Sequence, residues 1–555
     1  MKIDKLEIKN FKFFDELEPL DFESENILLY GENGSGKSTI YWALYTLLQS
    51  SIKDNTKIKE YFTHSTSITP NNSSLVNIYA NDDNSKIELF IKGIEEQFII
   101  SKNMITIKNN EIIKKSLYTS DFINYKYLFR FFNFLHRDEI NLFNLFEYEI
   151  LHFLNDSDSN TNLYNLWKEI LELEKEKPSD NIKTKSVYKK DYNDEKKLKR
   201  AREKAKKEAR EKNEKEYEKI SNLTDKINNF NKYLNNIIPN LNDHANKYLR
   251  DKFGYNNLKL QLSIKEGRYE KENNEFPYIF YKPEINIELS VSKNEIYEVI
   301  SRPQSYFNEA KLTAIALSVR LAITKIKLKD SPLKLLVLDD LLVSLDMSNR
   351  NKVLDILLND ENLRDYQKII LTHDRSFFEM AKIKLGNNNW KTFEMYVEID
   401  KDRNFEKPFI KKSLNYFESA EKHFEEYDYP ACANYLRKEV ERIKKIVNQN
   451  DRNGIPVNRS MQIVKRLINS EDFVKFSRPN STDEACIGNI RGKLIGIKRN
   501  LDNAREPSVE INMQEINSIL HRILHPQSHD DTSQPLYKKE LEEAIQTIKR
   551  LRENI

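Results

Sequence analysis

The feature that most constrains this chain is the segment Gly-Glu-Asn-Gly-Ser-Gly-Lys-Ser-Thr at residues 31–39, which follows the apolar run 26–30. A strand that ends in Gly-x4-Gly-Lys-Ser/Thr and continues into a helix, predicted here over 40–48, is typical of a phosphate-binding loop. The glycines let successive backbone N–H groups face phosphate oxygens, and the helix N-terminus adds a partial positive charge. The segment therefore predicts a nucleotide site.

The same loop supplies side chains for charge neutralisation and for metal binding. Lys37 is expected to reach the β- and γ-phosphates, and the Ser38 hydroxyl is expected to hold Mg²⁺. The predicted cofactors are therefore ATP and Mg²⁺. The loop residues predicted to contact the nucleotide are Asn33, Gly34, Ser35, Gly36, Lys37, Ser38 and Thr39.

Length and composition limit the class of protein. The chain has 555 residues, enough for two or more domains, and its charged residues, 32% of the total, nearly balance at a net charge of +3. Overall charge thus predicts no particular partner. The two cysteines, Cys432 and Cys486, make no disulfide framework or metal cluster. No run of about 18 apolar residues occurs. We expect a soluble cytoplasmic protein.

Hydrophobic patterns predict strands and helices along the chain. Before residue 160 they predict strands over 3–10 and 27–30, an antiparallel sheet between 76 and 113, and a buried helix between 122 and 154. After residue 250 they predict strands over 258–264, 284–291, 333–338 and 368–372, and a helix over 307–327. Pro408 marks a predicted boundary, beyond which the pattern is helical.

Between these regions, residues 183–219 are almost entirely charged or polar, and an amphipathic pattern continues to Ile237, before Pro239. Interleaved opposite charges are typical of a solvated helix with i,i+4 pairs. The alternative is a short coiled-coil arm, with 166–177 as its partner. The predicted domains are an N-terminal lobe at 1–160, a helical arm at 161–248, a second lobe at 249–408 and a helical domain at 409–555.

Two acids and a histidine stand at predicted strand ends. Asp339 and Asp340 end the strand 333–338, and His373 ends the strand 368–372. A carboxylate at the carboxyl end of a parallel strand can hold Mg²⁺ beside a phosphate-binding loop, so Asp339 is a predicted metal ligand. Asp340 is then placed to orient or deprotonate the attacking water.

The order of these motifs along the chain resembles that of the SMC, RecF and RecN branch of the ABC ATPases. The motifs are the N-terminal strand, the loop, Asp339-Asp340, Ser344-Leu345-Asp346 and His373. The resemblance implies an α/β ABC-type ATPase head whose two lobes are split by a helical or coiled-coil insertion. It implies that Asp346 belongs to the D-loop and that His373 senses the γ-phosphate. It also implies a signature motif at 305–309, where Asn308 and Glu309 would contact ATP held between two heads.

Three departures from that family bear on the rate of hydrolysis. Tyr306 and Phe307 are bulky where the family has small signature residues, and Asp340 is one methylene shorter than the usual glutamate. No glutamine stands near 134–138, where a Q-loop is expected. These departures predict slow hydrolysis, which suits a switch better than a motor.

The last part of the chain is predicted to be an all-α bundle. Its helices resemble a HEPN domain, whose RNase members use an Arg-x4-6-His motif, represented here by Arg522 and His529. Arg437 and Glu441 match the Arg-x3-Glu spacing of the anticodon nucleases PrrC and RloC. An Arg/Glu pair at i,i+4 is also the pattern of a surface ion pair, and Pro526 would break a helix before His529. A non-catalytic interaction bundle is therefore the other interpretation.

The layout as a whole resembles the compact ATPases of bacterial anti-phage systems, such as PtuA of Septu and of certain retrons. That resemblance implies an ATP-gated sensor and scaffold that regulates a separate nuclease, an HNH (PtuB-like) subunit, and in retrons a reverse transcriptase with its msDNA. It also implies self-association as a head-to-head dimer or higher homo-oligomer. Two alternatives are a self-contained HEPN RNase and a RecF-like DNA-repair ATPase that binds nucleic acid. No membrane partner is expected.

Overall fold

A computed structural model describes residues 1–15, 18–64, 73–80, 84–124, 126, 131, 141–154, 162–178, 195–271, 277–293, 296–300, 302–326, 331–341, 345, 347–385, 389–401, 404–452 and 538–553. The chain divides into two compact units, Met1–Lys412 and Ser413–Ile555. Pro408, the predicted boundary, lies inside the last strand of the first unit, so the division falls slightly later in the chain.

The first unit combines strands and helices. Its strands are β1 (Ile3–Lys9), β2 (Glu18–Asp21), β3 (Asn26–Gly31), β4 (Lys86–Ile91), β5 (Phe98–Ser101), β6 (Asp121–Asn124), β7 (Leu258–Lys265), β8 (Arg268–Glu270), β9 (Ile279–Tyr281), β10 (Glu284–Lys293), β11 (Ile296–Val299), β12 (Leu335–Asp339), β13 (Gln367–Thr372), β14 (Trp390–Asp400) and β15 (Phe405–Lys412). Its main helices are α1 (Lys37–Ser50), α2 (Asn55–Tyr61), α3 (Glu111–Thr119), α4 (Leu163–Lys175), α5 (Glu195–Lys247), α6 (Glu309–Ile326), α7 (Met347–Asn359) and α8 (Arg375–Leu385). Within the described ranges, none of the helices has the length and apolar content needed to cross a membrane.

A six-stranded sheet carries the predicted site. Its strand order is β15-β14-β3-β13-β12-β6, with β15 antiparallel to β14 at one edge and the other neighbouring strands parallel. Pro408 is compatible with β15 because an edge strand has no second neighbour that requires its missing N–H. The carboxyl ends of the parallel strands lie side by side along one edge of the sheet. The segments that follow β3, β12 and β13 therefore lie close together.

Each central strand of this sheet divides its side chains between two cores. On β12, Leu336 and Leu338 face a core that includes α4, α5 and α6, whereas Leu335 and Val337 face a core that includes α1 and the sheet β2-β1-β4-β5. Successive side chains of a strand point to opposite faces, so an unbroken apolar run is what a strand covered on both sides requires. The predicted strand at 333–338 is confirmed as this buried strand.

Two segments differ from the sequence prediction. Residues 111–113, the end of the predicted antiparallel sheet, begin the helix α3, because the Asn110 side chain accepts hydrogen bonds from the N–H groups of Ile112 (3.0 Å) and Ile113 (3.2 Å) and caps the helix. Residues 122–124, predicted as the start of a buried helix, belong to β6, which pairs in parallel with β12. A short apolar run has no decisive periodicity, so this distant pairing determines its conformation.

The long helix α5 continues through Pro239, although the sequence predicted its end before that residue. Proline removes one backbone hydrogen bond of a helix. Ile238 and Leu241, on either side, are 5% and 0% exposed and pack in the first core. Burial of these apolar neighbours offsets the lost hydrogen bond and keeps the helix intact.

The predicted partner of the charged helix lies against it. Helix α4 packs on α5, and Lys226 of α5 lies 2.6 Å from Glu169 of α4. Lys219 lies 2.9 Å from Glu176, which follows α4 directly. The part of α5 before Lys219 is mostly exposed. The two helices thus pair near the base of the arm, as the coiled-coil interpretation requires.

Asparagine side chains of α5 cover the open edge of β7, whose other edge pairs with β10. Asn242 donates to the carbonyl of Leu262 (3.0 Å) and accepts from its N–H (2.7 Å), and Asn246 makes the same two bonds with Leu260 (2.7 and 2.8 Å). Asn231 forms a third such pair further along. A side-chain amide here replaces a neighbouring strand, which satisfies the edge and fixes the arm in one register on the lobe.

The described part of the second unit is helical, with α9 (Tyr416–Glu425), α10 (Tyr429–Arg452) and α11 (Lys538–Glu553). Asn415 and Glu418 form a capping box that begins α9, each bond measuring 2.9 Å. Apolar residues of α10 and α11 meet in one core, which includes Cys432, Leu436, Val440, Leu541 and Ile548. Residues 453–537 lie outside the described residues, so the complete bundle stays a prediction.

Candidate functional site

The phosphate-binding loop joins β3 to α1 in a conformation that glycine favours. Gly34 and Gly36 have φ angles of 87° and 97°, in the left-handed region. A Cβ atom on Gly36 would also lie 2.6 Å from the ring of Phe13. The Ser35 hydroxyl is buried and has no hydrogen-bond partner among the residues that the structure describes. The loop therefore has the curved backbone of a phosphate cradle and a hydroxyl with unused bonding capacity.

Lys37 lies within this loop. Its Nζ donates to the carbonyl oxygens of Gly31 (2.7 Å) and Glu32 (2.9 Å), and the residue is only 5% exposed. Burial lowers the pKa of the Lys37 amine, and the charges of Asp340 and Asp339 oppose that effect. The amine is thus held beside both acids, at the position where the chemistry of the motif requires a cation for the phosphates.

Asp339 ends β12 and is 4% exposed, and its Oδ1 has no hydrogen-bond partner within the described part of the chain. Burial raises the pKa of this carboxyl to about 6, although the Ser38 hydroxyl lowers it. An open carboxylate oxygen beside a hydroxyl is a donor pair that suits Mg²⁺, whose other ligands are commonly phosphate oxygens and water. Ser38 and Asp339 therefore fit the predicted metal. In the described ranges no cluster of three His, Cys, Asp or Glu residues forms a metal site of its own.

We expect Asp339→Asn to stabilise the nucleotide-free protein at neutral pH. The folded pKa of Asp339 is about 6, above the ordinary value near 4, so ionisation of this buried carboxyl lowers the free energy of unfolding as pH rises through that interval. An amide carries no such charge, and the gain should reach at most about 3 kcal/mol at pH 7.5 and disappear near pH 4. Urea unfolding in EDTA at both pH values measures it. An equal gain at both would show that charge burial is not the cause.

Asp340 and His373 form a second pair at the same edge of the sheet. Asp340 adopts a φ of 50°, and its Oδ1 accepts a hydrogen bond from the backbone N–H of His373 at 2.9 Å. The same oxygen lies 2.9 Å from Nδ1 of His373, although the alignment is not that of a hydrogen bond. A left-handed backbone at a non-glycine residue is unfavourable and often marks a functional position. The structure thus brings the two predicted catalytic residues into contact.

Asn124 is a candidate site residue that the sequence prediction missed. It ends β6, and the register of β6 with β12 places it directly beside Asp339. Its Nδ2 donates to the Tyr41 hydroxyl at 3.3 Å, and the residue is 9% exposed. Residues 134–138, where a Q-loop was expected, lie outside the described residues. The Asn124 amide, at the end of the strand next to Asp339, is a candidate for that position.

Lys12 is the second missed candidate. It precedes Phe13, whose ring packs near Gly36 of the loop, and its Nζ lies 5.6 Å from the centre of the Trp42 ring. Burial lowers the pKa of Lys12, and the charge of Lys126 adds to that effect. Lys12 has no acidic partner among the described residues. Lys12 follows β1 in a turn, and the sequence alone did not distinguish it from the lysines of the preceding strand.

The predicted signature segment lies at the start of α6. Asn308 accepts a hydrogen bond from the N–H of Lys311 (3.0 Å) and so begins the helix. Phe307 is 6% exposed and belongs to the core, with the Lys311 amine 5.1 Å from its ring centre. Tyr306 is 63% exposed, and Asn308 and Glu309 are exposed too. Phe307 therefore has a packing role, whereas its neighbours are accessible.

The remaining predicted site residues either lie outside the described residues or belong to the second unit. Asp346, Arg522 and His529 lie outside the described residues, and their roles stay predictions. Arg437 and Glu441 belong to the second unit, where Nε of the arginine lies 3.4 Å from the glutamate Oε1 on the same helix. This is the geometry of an i,i+4 ion pair, and a role in RNA cleavage stays a prediction.

Comparison with known proteins gives one family match. Residues 5–238 match the family model of an AAA domain. No curated protein sequence matches the chain at a significant level. The matched range includes the phosphate-binding loop and Asn124 but ends before Asp339 and His373.

Among solved structures, the chain is similar to SMC head domains. One is the Smc head from Pyrococcus furiosus with an extended coiled coil, bound to the C-terminal domain of ScpA (17% identity, 77% of this chain and 99% of that chain, TM-score 0.36). Another is an Smc head bound to the C-terminal winged-helix domain of ScpA (17%, 74% and 98%, 0.33). A third is the SMC head from Thermotoga maritima (14%, 75% and 100%, 0.33).

Proposed function

We propose that this chain is an ATP-binding, slowly hydrolysing ATPase of the SMC-like ABC type that works as a nucleotide switch. The observation that carries the proposal is the convergence of three segments, distant in sequence, at one edge of the central sheet. They are the loop with Lys37 and Ser38 after β3, the acids at the end of β12, and His373 after β13. The packing of an apolar core does not by itself require a lysine, a serine, two aspartates and a histidine at one edge of a sheet.

Each residue has a proposed role. Lys37 neutralises phosphate charge and the loop N–H groups orient the phosphates. Ser38 and Asp339 hold Mg²⁺, which when bound neutralises the charge on the transferred phosphoryl group. Asp340 orients the attacking water or takes its proton, and His373, in contact with Asp340, keeps that carboxylate in position. Because Oδ1 of Asp340 is engaged by His373, we expect proton transfer to be slow.

Single-turnover hydrolysis of ATP tests this proposal. Asp340→Asn should bind ATP with nearly unchanged affinity but hydrolyse it at least about 100-fold more slowly, because a general base contributes on the order of 10²–10⁴ in rate. The matched control is Asp365→Asn. Asp365 is an exposed acid that precedes β13, at the amino end of that strand and away from its carboxyl end. Rapid multiple turnover by the wild type, or hydrolysis that survives Asp340→Asn, would contradict the proposal.

We further propose that two heads associate around the nucleotide, with Asn308 and Glu309 of one copy meeting ATP on the other. The exposure of Tyr306, Asn308 and Glu309 at the start of α6 supports it. The resemblance to anti-phage ATPases extends the proposal to a sensor and scaffold for a separate nuclease. The purified chain should then lack nuclease activity of its own. Metal-free cleavage of tRNA by the isolated chain would instead favour the HEPN RNase.

A further inference from the structure

Arg350, near the start of α7, is a cation close to the site that has no part in the roles proposed above. Its side chain is 11% exposed, its Nε donates to the carbonyl oxygen of Leu345 at 2.7 Å, and its Nη1 donates to Oδ2 of Asp374. Leu345 lies between β12 and α7, and Asp374 lies between β13 and α8. One guanidinium therefore joins the two segments that leave the strands of Asp340 and His373.

Asp374 is itself fixed by the backbone around it. Its Oδ1 accepts a hydrogen bond from the N–H of Phe377 at 2.8 Å, which caps the start of α8, and its own N–H donates to Oγ1 of Thr372 at 3.1 Å. Burial alone would raise the pKa of Asp374, but hydrogen bonds from the Phe377 N–H and from Arg350 lower it below its ordinary value. Asp374 is therefore a carboxylate at neutral pH, and its contact with Arg350 is a charged pair.

His373 lies between two fixed points of the backbone. On one side β13 is held in the sheet, and the carbonyl of Leu371 accepts a hydrogen bond from the N–H of Asp340 at 3.0 Å. On the other side Asp374 is held by Arg350. Between them the N–H of His373 donates to Oδ1 of Asp340 at 2.9 Å. Release of Asp374 would leave the His373 segment fixed at one end, so its contact with Asp340 should loosen.

A second ion pair joins the same two helices and separates their attachment from the positioning of His373. The Nζ atom of Lys384 on α8 lies 2.6 Å from Oδ1 of Asp355 on α7, and these side chains are 32% and 51% exposed. The Arg350 pair is less exposed, and partial removal of two charges from water offsets much of their attraction, so it adds little net stability. Attachment of α8 to α7 therefore does not rest on Arg350 alone, and Asp355 supplies a matched control.

From this geometry we propose that Arg350 is a positioning residue for ATP hydrolysis, which bridges Leu345 and Asp374 and so holds His373 against Asp340. The inference rests on the proposed function, because the roles of Asp340 and His373 in hydrolysis are part of that proposal. Arg350 acts through His373 and is assigned no contact with the nucleotide. Its replacement should therefore slow hydrolysis without weakening ATP binding, and only while His373 is present.

The test is a double-mutant cycle on the full chain, with single-turnover hydrolysis of ATP and the Kd of ATP as its two readouts. The four proteins are the wild type, Arg350→Lys, His373→Gln and the double variant. Lysine keeps the charge but lacks the fork that donates in two directions. Arg350→Lys should hydrolyse ATP at least about 10-fold more slowly, with a Kd within about twofold of the wild type. In the His373→Gln background, the same change should slow hydrolysis by less than about twofold.

Two further variants test the contact itself. Asp374→Asn keeps the cap of α8, since asparagine also caps helices, but it removes the charge that Arg350 binds and should reproduce the loss in rate. It replaces Arg350→Lys in the cycle if that variant does not fold. Asp355→Asn breaks the surface pair between the same helices and should hydrolyse ATP as the wild type does. Circular dichroism should show equal helix content in the variants that are compared.

The outcomes separate this inference from the function on which it rests. Absence of ATP hydrolysis by the wild type would overturn both. Hydrolysis by the wild type that Arg350→Lys leaves unchanged would overturn the inference alone. An equal loss with and without His373 would show that Arg350 does not act through that residue and would overturn it too. The same holds for an equal loss in Asp355→Asn, or for a loss in rate that weaker ATP binding explains.

Discussion

Replacement of Lys37 by methionine is expected to reduce the affinity for ATP by at least about 100-fold, because it removes charge-assisted hydrogen bonds to phosphate, each worth on the order of 1.5–3 kcal/mol. Lys37 is 5% exposed, and its amine donates hydrogen bonds to the loop carbonyls of Gly31 and Glu32. Methionine preserves much of the buried side-chain volume, so the loop should keep its packing while it loses the cation.

The measurement is titration calorimetry with ATP and Mg²⁺, with a slowly hydrolysed analogue as a second ligand. Lys57→Met is the control, since Lys57 belongs to the same unit, its side chain is 52% exposed, and it forms an ion pair with Glu60 one turn further along the same helix. The control should bind ATP as the wild type does. Retention of tight binding by Lys37→Met would mean that the loop is not the phosphate site.

The loop could be predicted from the sequence because its chemistry is contiguous. Backbone conformation, cation and hydroxyl all lie within Gly31 to Thr39, so no distant residue is needed to recognise the motif. Asp339, Asp340 and His373 could be predicted because each directly follows an apolar run that indicates a buried strand. Sequence reasoning works where the residue and its structural context are neighbours in the chain.

Other features depend on contacts that no local pattern reveals. Asn124 enters the site only through the register of β6 with β12, and a run of four residues does not predict that register. Helix α5 passes Pro239 because apolar neighbours are buried against distant elements. The asparagines that pair with β7 are simply polar residues in the sequence, since their partners are backbone groups. Tertiary contacts determine all three.

A buried ion pair joins the predicted signature helix to the sheet. Arg320 of α6 is 1% exposed, and Asp121, at the start of β6, is 0% exposed. The Nε atom of Arg320 lies 3.0 and 3.2 Å from the two carboxylate oxygens of Asp121. The Nη2 atom lies 2.5 Å from Oδ1 of the same carboxylate. The pair therefore connects the helix that begins near Asn308 to the strand that ends at Asn124, beside Asp339.

We expect Arg320→Met to lower the free energy of unfolding of the first unit by about 3–5 kcal/mol, because it leaves the Asp121 carboxylate buried and without its cation. The double variant Asp121→Leu/Arg320→Met should recover most of this loss, since apolar residues of similar size have no charge to desolvate. The three tryptophans, Trp42, Trp167 and Trp390, all lie in the first unit, so fluorescence during urea unfolding reports on that unit.

The control is Arg250→Met, which removes an arginine whose side chain is 60% exposed and paired with Asp251, and which should leave the unfolding midpoint unchanged. If the single variant and the double variant lose equal stability, packing of the arginine stem, and not its charge, maintains the contact. If instead the double variant is stable but hydrolyses ATP more slowly than the wild type, the ion pair also aligns α6 and β6 for the nucleotide site. That combination would assign the pair a positioning role in addition to its contribution to stability.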